Sequence, residues 1–158
     1  MISLILAKAS NDIVGDSTKP YGLPWHYPED LAYYKENTIN KINVMGHTTY
    51  KQIGKALPNR ITYVLSRDNN LTLDDANVIN SIEGALALDK EGIEIMICGG
   101  VKIFDQMINY ANKIYLTRIN KEYSGDAKIN LDLTNFKLVS QSQGENQDLV
   151  FEIYERID

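Results

Sequence analysis

Apolar runs of strand length alternate with helix-length stretches through the first two thirds of the chain, and strand-like runs then follow one another to its end. Ile2 to Ala9 is an aliphatic run closed by Ser10, Asn11 and Asp12. Ile42 to Met45, Ile61 to Leu65, the weaker Asn77 to Ile79 and the strongly apolar Ile93 to Cys98 repeat that signature. Between them lie four helical stretches. Pro28 to about Asn37 opens with Pro and two acids at the positive end of the helix dipole. Thr48 to Ile53 ends at Gly54, Ser81 caps a stretch through Leu88, and Val101 to Tyr110 follows Gly99-Gly100 directly. Lys113 to Ile119, Phe136 to Gln141 and Leu149 to Arg156 close the chain as consecutive strands. Strand-helix alternation demands crossovers and hence parallel pairing, whereas consecutive strands pair antiparallel. The expected fold is α/β: a central, mainly parallel eight-stranded sheet with an antiparallel C-terminal edge strand, flanked by about four helices.

With 158 residues the chain suffices for one domain over 1–158 that buries roughly 70% of its extended surface. Its 16 Lys and Arg against 21 Asp and Glu leave a net charge of −5 and no basic block, which argues against a nucleic-acid partner. Met1 to Leu6 is too short and uncharged for a secretory leader, and no apolar run reaches the roughly 18 residues that cross a bilayer. Lone Cys98 has no disulfide partner within the chain. A soluble cytoplasmic protein without membrane association is expected.

Several segments carry two readings. Gly99-Gly100, between a buried strand and a helix, is either a tight turn or a bare backbone cradle for a pyrophosphate. Asp30 is either an ordinary first-turn acid or a ligand carboxylate, sitting at the edge of a face shared by Tyr27, Leu31, Tyr34 and Thr38. Leu23-Pro24-Trp25 ends a Gly- and Pro-rich loop from Gly15 to Pro24, and Trp25 is either core or a lid over Asp30. Arg60 is a solvated turn residue or a planar fork for a carboxylate. Ser66-Arg67, at the end of a strand, is either an ordinary solvated surface pair or a phosphate site. His26, His47 and Cys98 lack metal-ligand spacing, so no metal is expected, and neither a hydrolase triad signature nor a Walker loop is present.

Taken together the segments resemble dihydrofolate reductase along the whole chain. Leu23-Pro24-Trp25, then Asp30, Tyr34 and Thr38, follow that family's substrate-site signature, and Val44-Met45-Gly46, Thr48-Thr49-Tyr50, Leu57-Pro58-Asn59-Arg60, Leu65-Ser66-Arg67, Gly99-Gly100, Tyr115-Leu116-Thr117 and Gly125-Asp126 appear in family order. The resemblance implies a three-layer fold and NADPH-dependent reduction of 7,8-dihydrofolate to tetrahydrofolate, with hydride going to C6 and a proton to N5. It implies Asp30, Trp25, Leu23 and Thr117 as the catalytic group. Ile5, Leu31, Tyr34 and Ile53 would hold the ring and benzoyl group, and Arg60 the glutamate α-carboxylate. On the cofactor side it implies Ala7, Val14 and Gly15 near the nicotinamide. Gly46, His47, Thr48, Thr49, Leu65, Cys98, Gly99, Gly100, Val101, Lys102, Ile103 and Phe104 would surround the cofactor, and Ser66 and Arg67 would hold the adenosine 2′-phosphate. Dihydrofolate and antifolate-type inhibitors are the implied partners, and a monomer the implied state.

Three departures from the family pattern stand out. The loop before Trp25 is longer, with Lys19-Pro20-Tyr21-Gly22 inserted. His47 stands where the family often has Arg, which leaves Arg67 and Lys102 more of the phosphate charge, and Phe104 stands where many relatives have Tyr. Two rival readings are a same-fold reductase of another pterin or pyrimidine, disfavoured by Trp25, Asp30 and Arg60 together, and a non-catalytic binding component that keeps the fold.

Overall fold

A computed structural model describes residues 1–157. Its main sheet runs β5 (Asn77–Ile79), β4 (Ile61–Leu65), β3 (Ile42–Gly46), β6 (Ile95–Ile97), β1 (Ile2–Ala9), β7 (Lys113–Ile119), β10 (Leu149–Arg156), β9 (Phe136–Gln143). The first six in that order pair in parallel, and β10 pairs antiparallel with both β7 and β9. The sheet is therefore mixed with an antiparallel C-terminal edge, as expected. The last strand is inserted between β7 and β9, and β9 forms the rim, with Phe136 buried and the rest of the strand exposed. A register shift opposite Ile153 and Tyr154 bends that rim, a common way of blunting an exposed edge.

The period of two along β1 explains the layering. Ile2, Leu4 and Leu6 belong to one core with Ile103, Phe104 and Met107 of α4 (Val101–Met107) and Ala85 of α3 (Ile82–Leu86). Ile5 and Ala9 face the opposite side, where Tyr33 and Tyr34 of α1 (Pro28–Thr38) pack. Sheet strands buried on both faces read as unbroken apolar runs, which is why they were visible in the sequence. Leu4, Ile95, Ile97, Ile114 and Leu116 have no exposed surface, and each such burial contributes about 1.5–3 kcal/mol.

Helix ends follow local chemistry with some shortening. Gly54 closes α2 (His47–Ile53) at φ 93°, a left-handed position that costs glycine nothing. Ser81 caps α3 by accepting the Gly84 N–H at 3.0 Å, yet α3 stops at Leu86 rather than Leu88 because the amides of Leu88 and Asp89 have tightened onto the carbonyls three residues back. In the same way α4 gives way to a turn after Met107, where the Tyr110 N–H bonds Met107 O. The expected strand at Ile93 to Cys98 pairs only over β6. Two pieces escaped sequence reading, β2 (Ile13–Gly15) and β8 (Ala127–Lys128), which form a separate antiparallel pair. The 15–24 loop contains one 3-10 turn, Pro20–Gly22. No helix among the described residues is long and apolar enough to cross a membrane.

Candidate active site

The first turn of α1 lies across the carboxyl end of β7, the edge at which open α/β sheets hold ligands. Tyr27 is the extended residue before the helix, Pro28 occupies its first position, and Glu29 and Asp30 complete its acidic start. Asp30 is half-buried, and its Oδ1 accepts the Thr117 hydroxyl at 2.8 Å. Burial raises its carboxyl above the ordinary value; the Thr117 bond opposes the rise and the charge of Glu29 adds to it. Among the described residues no cation pairs with Asp30. Beside it opens a cleft of about 390 Å³ walled by the 19–27 loop and by Leu31 of α1.

Trp25 covers one side of this cleft. It is buried, its ring meets Tyr123 edge-on at 5.2 Å, and its indole N–H is the one buried side-chain polar atom among the described residues without a partner. Since a buried donor left unmet is costly, this N–H is a ready partner for an acceptor entering the cleft. Leu23 is half-buried beside it, and the Tyr27 and Tyr123 hydroxyls share a 2.6 Å hydrogen bond.

Of the remaining substrate-side candidates, only Leu31 lines this cleft with Asp30. Leu31 is 43% exposed and lines the cleft, while Ile5 is buried beneath it with Tyr34 and Cys98 in one cluster. Burial pushes the Tyr34 phenol well above its usual value and the Cys98 thiol up to about 12, so Cys98 is an inert packing group. Ile53 is half-buried at the end of α2. Arg60 is tied to the far end of α1: its Nε donates to Thr38 Oγ1 at 3.0 Å and Nη1 to Pro58 O at 2.9 Å. Thr38 in turn donates to Tyr34 O at 2.7 Å. Asp30 and Thr38 are eight residues apart on α1, so the helix sets a carboxylate and a held guanidinium roughly 12 Å apart along its axis.

The cofactor-side candidates fall on neighbouring strand ends. β3 runs out at Gly46 and β6 at Ile97, and the Gly46 N–H bonds Gly99 O at 2.9 Å, so the starts of α2 and α4 lie side by side. Gly99 has φ 127°, and a Cβ there would meet Thr49 Oγ1 at 3.5 Å and the Phe104 ring at 3.6 Å. One at Gly100 would also meet Thr49 Oγ1 at 3.5 Å. Bare backbone thus faces a hydroxyl across a space side chains would fill, a cradle that fits a pyrophosphate. His47 and Thr49 are half-buried and Thr48 exposed at the start of α2; Val101 is half-buried and Lys102 exposed at that of α4. Ser66 and Arg67 follow β4, with Arg67 exposed and Ser66 Oγ accepting the Asp68 N–H at 3.2 Å. Ala7, Val14 and Gly15 lie on β1 and β2, whereas Leu65, Ile103 and Phe104 contribute to the core beneath the cradle. Among the described residues no His, Cys, Asp and Glu cluster could hold a metal.

Sequence reasoning missed two parts of this region. Tyr123 comes from 96 residues beyond Tyr27 to complete the aromatic wall, and the turn at 144–148 is seated on Glu29. Neither carries a local signal, since both depend on which loops the sheet order brings together.

Fold and cleft define an α/β protein built around one half-buried carboxylate at the carboxyl edge of its parallel strands. The dihydrofolate reductase family model matches residues 1–156. The chain is 34% identical to a dihydrofolate reductase of Bacillus subtilis over 99% of this chain and 95% of that one. It is 42% identical to one from Buchnera aphidicola subsp. Acyrthosiphon pisum, over 80% of this chain and 76% of that one. Its fold matches the solved dihydrofolate reductase from Enterococcus faecalis complexed with NADP(H) and RAB-propyl at a TM-score of 0.92 and 30% identity, covering 100% of this chain and 97% of the other. The chain belongs to the dihydrofolate reductase family.

Proposed function

We propose that this chain reduces 7,8-dihydrofolate to tetrahydrofolate with NADPH, and that Asp30 grips the polar edge of the pterin. The carrying observation is the Asp30 carboxylate, half-buried beside a cleft and anchored by Thr117 at 2.8 Å. Anchoring Oδ1 orients the carboxylate and leaves Oδ2 for a second donor. A ring presenting N3–H and a 2-amino group offers that donor pair, each charge-assisted bond contributing about 1.5–3 kcal/mol. NADPH, when bound, supplies the hydride for C6. The negative charge of Asp30 raises the proton affinity of N5 on the same ring, and solvent delivers the proton. Trp25, Leu23 and Tyr27 exclude bulk water, which strengthens that electrostatic influence. Ile5, Leu31, Tyr34 and Ile53 flank the ring and benzoyl group, and Arg60, whose Nε and Nη1 are engaged by Thr38 and Pro58, offers Nη2 to the glutamate carboxylate.

For the cofactor, the Gly46 to Thr49 and Gly99 to Lys102 segments hold the pyrophosphate, Ser66 and Arg67 the 2′-phosphate, and Ala7, Val14 and Gly15 the nicotinamide. Every assigned residue comes from one chain, so a single-domain monomer suffices. Lone Cys98 forms no disulfide within the chain, which suits a reducing cytoplasm. Antifolate-type inhibitors with a protonated amidine edge would compete for Asp30. The test is NADPH oxidation followed by absorbance with and without dihydrofolate: consumption that depends on both supports the reading, and its absence from folded protein overturns it.

A further inference from the structure

The turn between β9 and β10 is gripped by the residue next to Asp30. Glu29 Oε2 accepts the Glu145 N–H at 2.8 Å and Oε1 the Asn146 N–H at 2.9 Å. Both oxygens of one carboxylate are thus engaged by consecutive backbone amides more than a hundred residues away in the chain. The fit is tight: a Cβ on Gly144 would come within 3.1 Å of both oxygens and 3.0 Å of the Leu149 Cβ. The same turn is held a second time, since the Tyr27 hydroxyl also reaches Asp148 Oδ2 at 3.2 Å. Two of the four residues from Tyr27 to Asp30 are therefore anchored on the turn, and a third, Asp30, on β7.

A first-turn acid needs no such partner to favour its helix; the dipole alone rewards it. Two additional charge-assisted bonds to a distant loop fix where the helix start sits. We propose that Glu29 is a positioning residue for Asp30, holding the first turn of α1 on the β9–β10 turn and placing a second negative charge beside the substrate carboxylate. This rests on the reading of Asp30 given above. Other ionisable groups at this helix start are Tyr27 with its partner Tyr123, Tyr33 on α1, Lys19 and His26 on the loop lining the cleft, and Glu145 and Asp148 on the turn that Glu29 and Tyr27 hold. Substituting Glu29 leaves the charges of all of these in place.

Glu29→Gln keeps the length of the side chain, removes the charge and leaves one acceptor oxygen. In single-turnover reduction with NADPH and dihydrofolate, the midpoint of the pH–rate profile moves down by roughly half a unit to one unit, the scale of one neighbouring charge in a partly buried site. Above the midpoint the rate then falls about 3- to 10-fold, since each unit is tenfold in the protonated fraction, while the low-pH plateau is preserved. Glu29→Asp keeps the charge but shortens the reach: its midpoint stays with the parent, and hydrogen exchange at the 145 and 146 amides accelerates. A purely structural role would scale the whole profile in both variants without moving the midpoint, and that result overturns the proposal. Carbon-13 NMR titration of the Asp30 carboxyl in ligand-free protein reads the same shift without turnover, and an unmoved Asp30 midpoint in Glu29→Gln refutes the proposal even in an active enzyme. Parent protein that fails to turn over dihydrofolate would refute the assigned reaction instead, with the NMR result still deciding the role of Glu29.

Discussion

Asp30→Asn should damage activity and improve stability together. The carboxylate is half-buried, has one side-chain donor in Thr117 at 2.8 Å and, among the described residues, no cation to pair with. Its carboxyl is raised, chiefly by burial. A carboxyl whose folded value exceeds its unfolded one opposes folding once ionised: the cost is absent below the unfolded value, grows as pH rises through the folded one, and is complete above it. Leaving an unpaired carboxylate partly buried costs on the order of 1 kcal/mol at neutral pH, at the low end of the range for unmatched polar groups because solvent screens a partly exposed site. Asn keeps an acceptor for Thr117 and removes the charge, so at pH 8 the melting temperature should rise by about 2–4 °C, with no gain at pH 3. Turnover near neutral pH should fall by about two to four orders of magnitude, the scale of positioned acid-base assistance. Calorimetry at the two pH values and NADPH-oxidation kinetics on the same preparations measure both arms. Near-parental turnover would refute the catalytic assignment, and an equal or lower melting temperature at pH 8 would refute the electrostatic reasoning.

Other perturbations test neighbouring links. Thr117→Val removes the donor that holds Asp30 down in proton affinity, so the Asp30 NMR titration midpoint should move up, opposite to Glu29→Gln; an unmoved or lowered midpoint would contradict the geometry. Arg60→Leu should weaken dihydrofolate by about 2 kcal/mol, near 30-fold in binding, while sparing a dihydropterin without the glutamate tail, and equal losses measured by titration would remove the clamp. Gly144→Ala forces a Cβ against Glu29 and Leu149, so urea unfolding should show a loss of about 1–3 kcal/mol, accompanied by faster amide exchange at 145 and 146.

Local patterns carried much of the architecture. Strand-length runs rich in apolar and β-branched residues delimited β1, β4, β5, β7 and β10 to the residue, and the signature is strongest in β1, whose side chains are buried or half-buried on both faces. Ser81 and Gly54 marked a helix start and a helix end through bonds that span only a few residues. The spacing of Trp25, Asp30, Tyr34 and Thr38 exposed the family, and with it the reading of Asp30.

Whatever depends on which segments meet was decided by tertiary structure. Three- and two-residue strands such as β2 and β8 have too little pattern to announce themselves, and exist because each supplies the other's backbone partners. The C-terminal strand lies inside β9 because β7 pairs with it, a matter of register between distant strands. The bond from Thr117 to Asp30 crosses 87 residues, and that from the Asn146 N–H to Glu29 crosses 117. Short-range propensity specifies what each segment becomes; only closure of the sheet brings these side chains within hydrogen-bonding reach and turns an ordinary first-turn acid into a desolvated, anchored carboxylate.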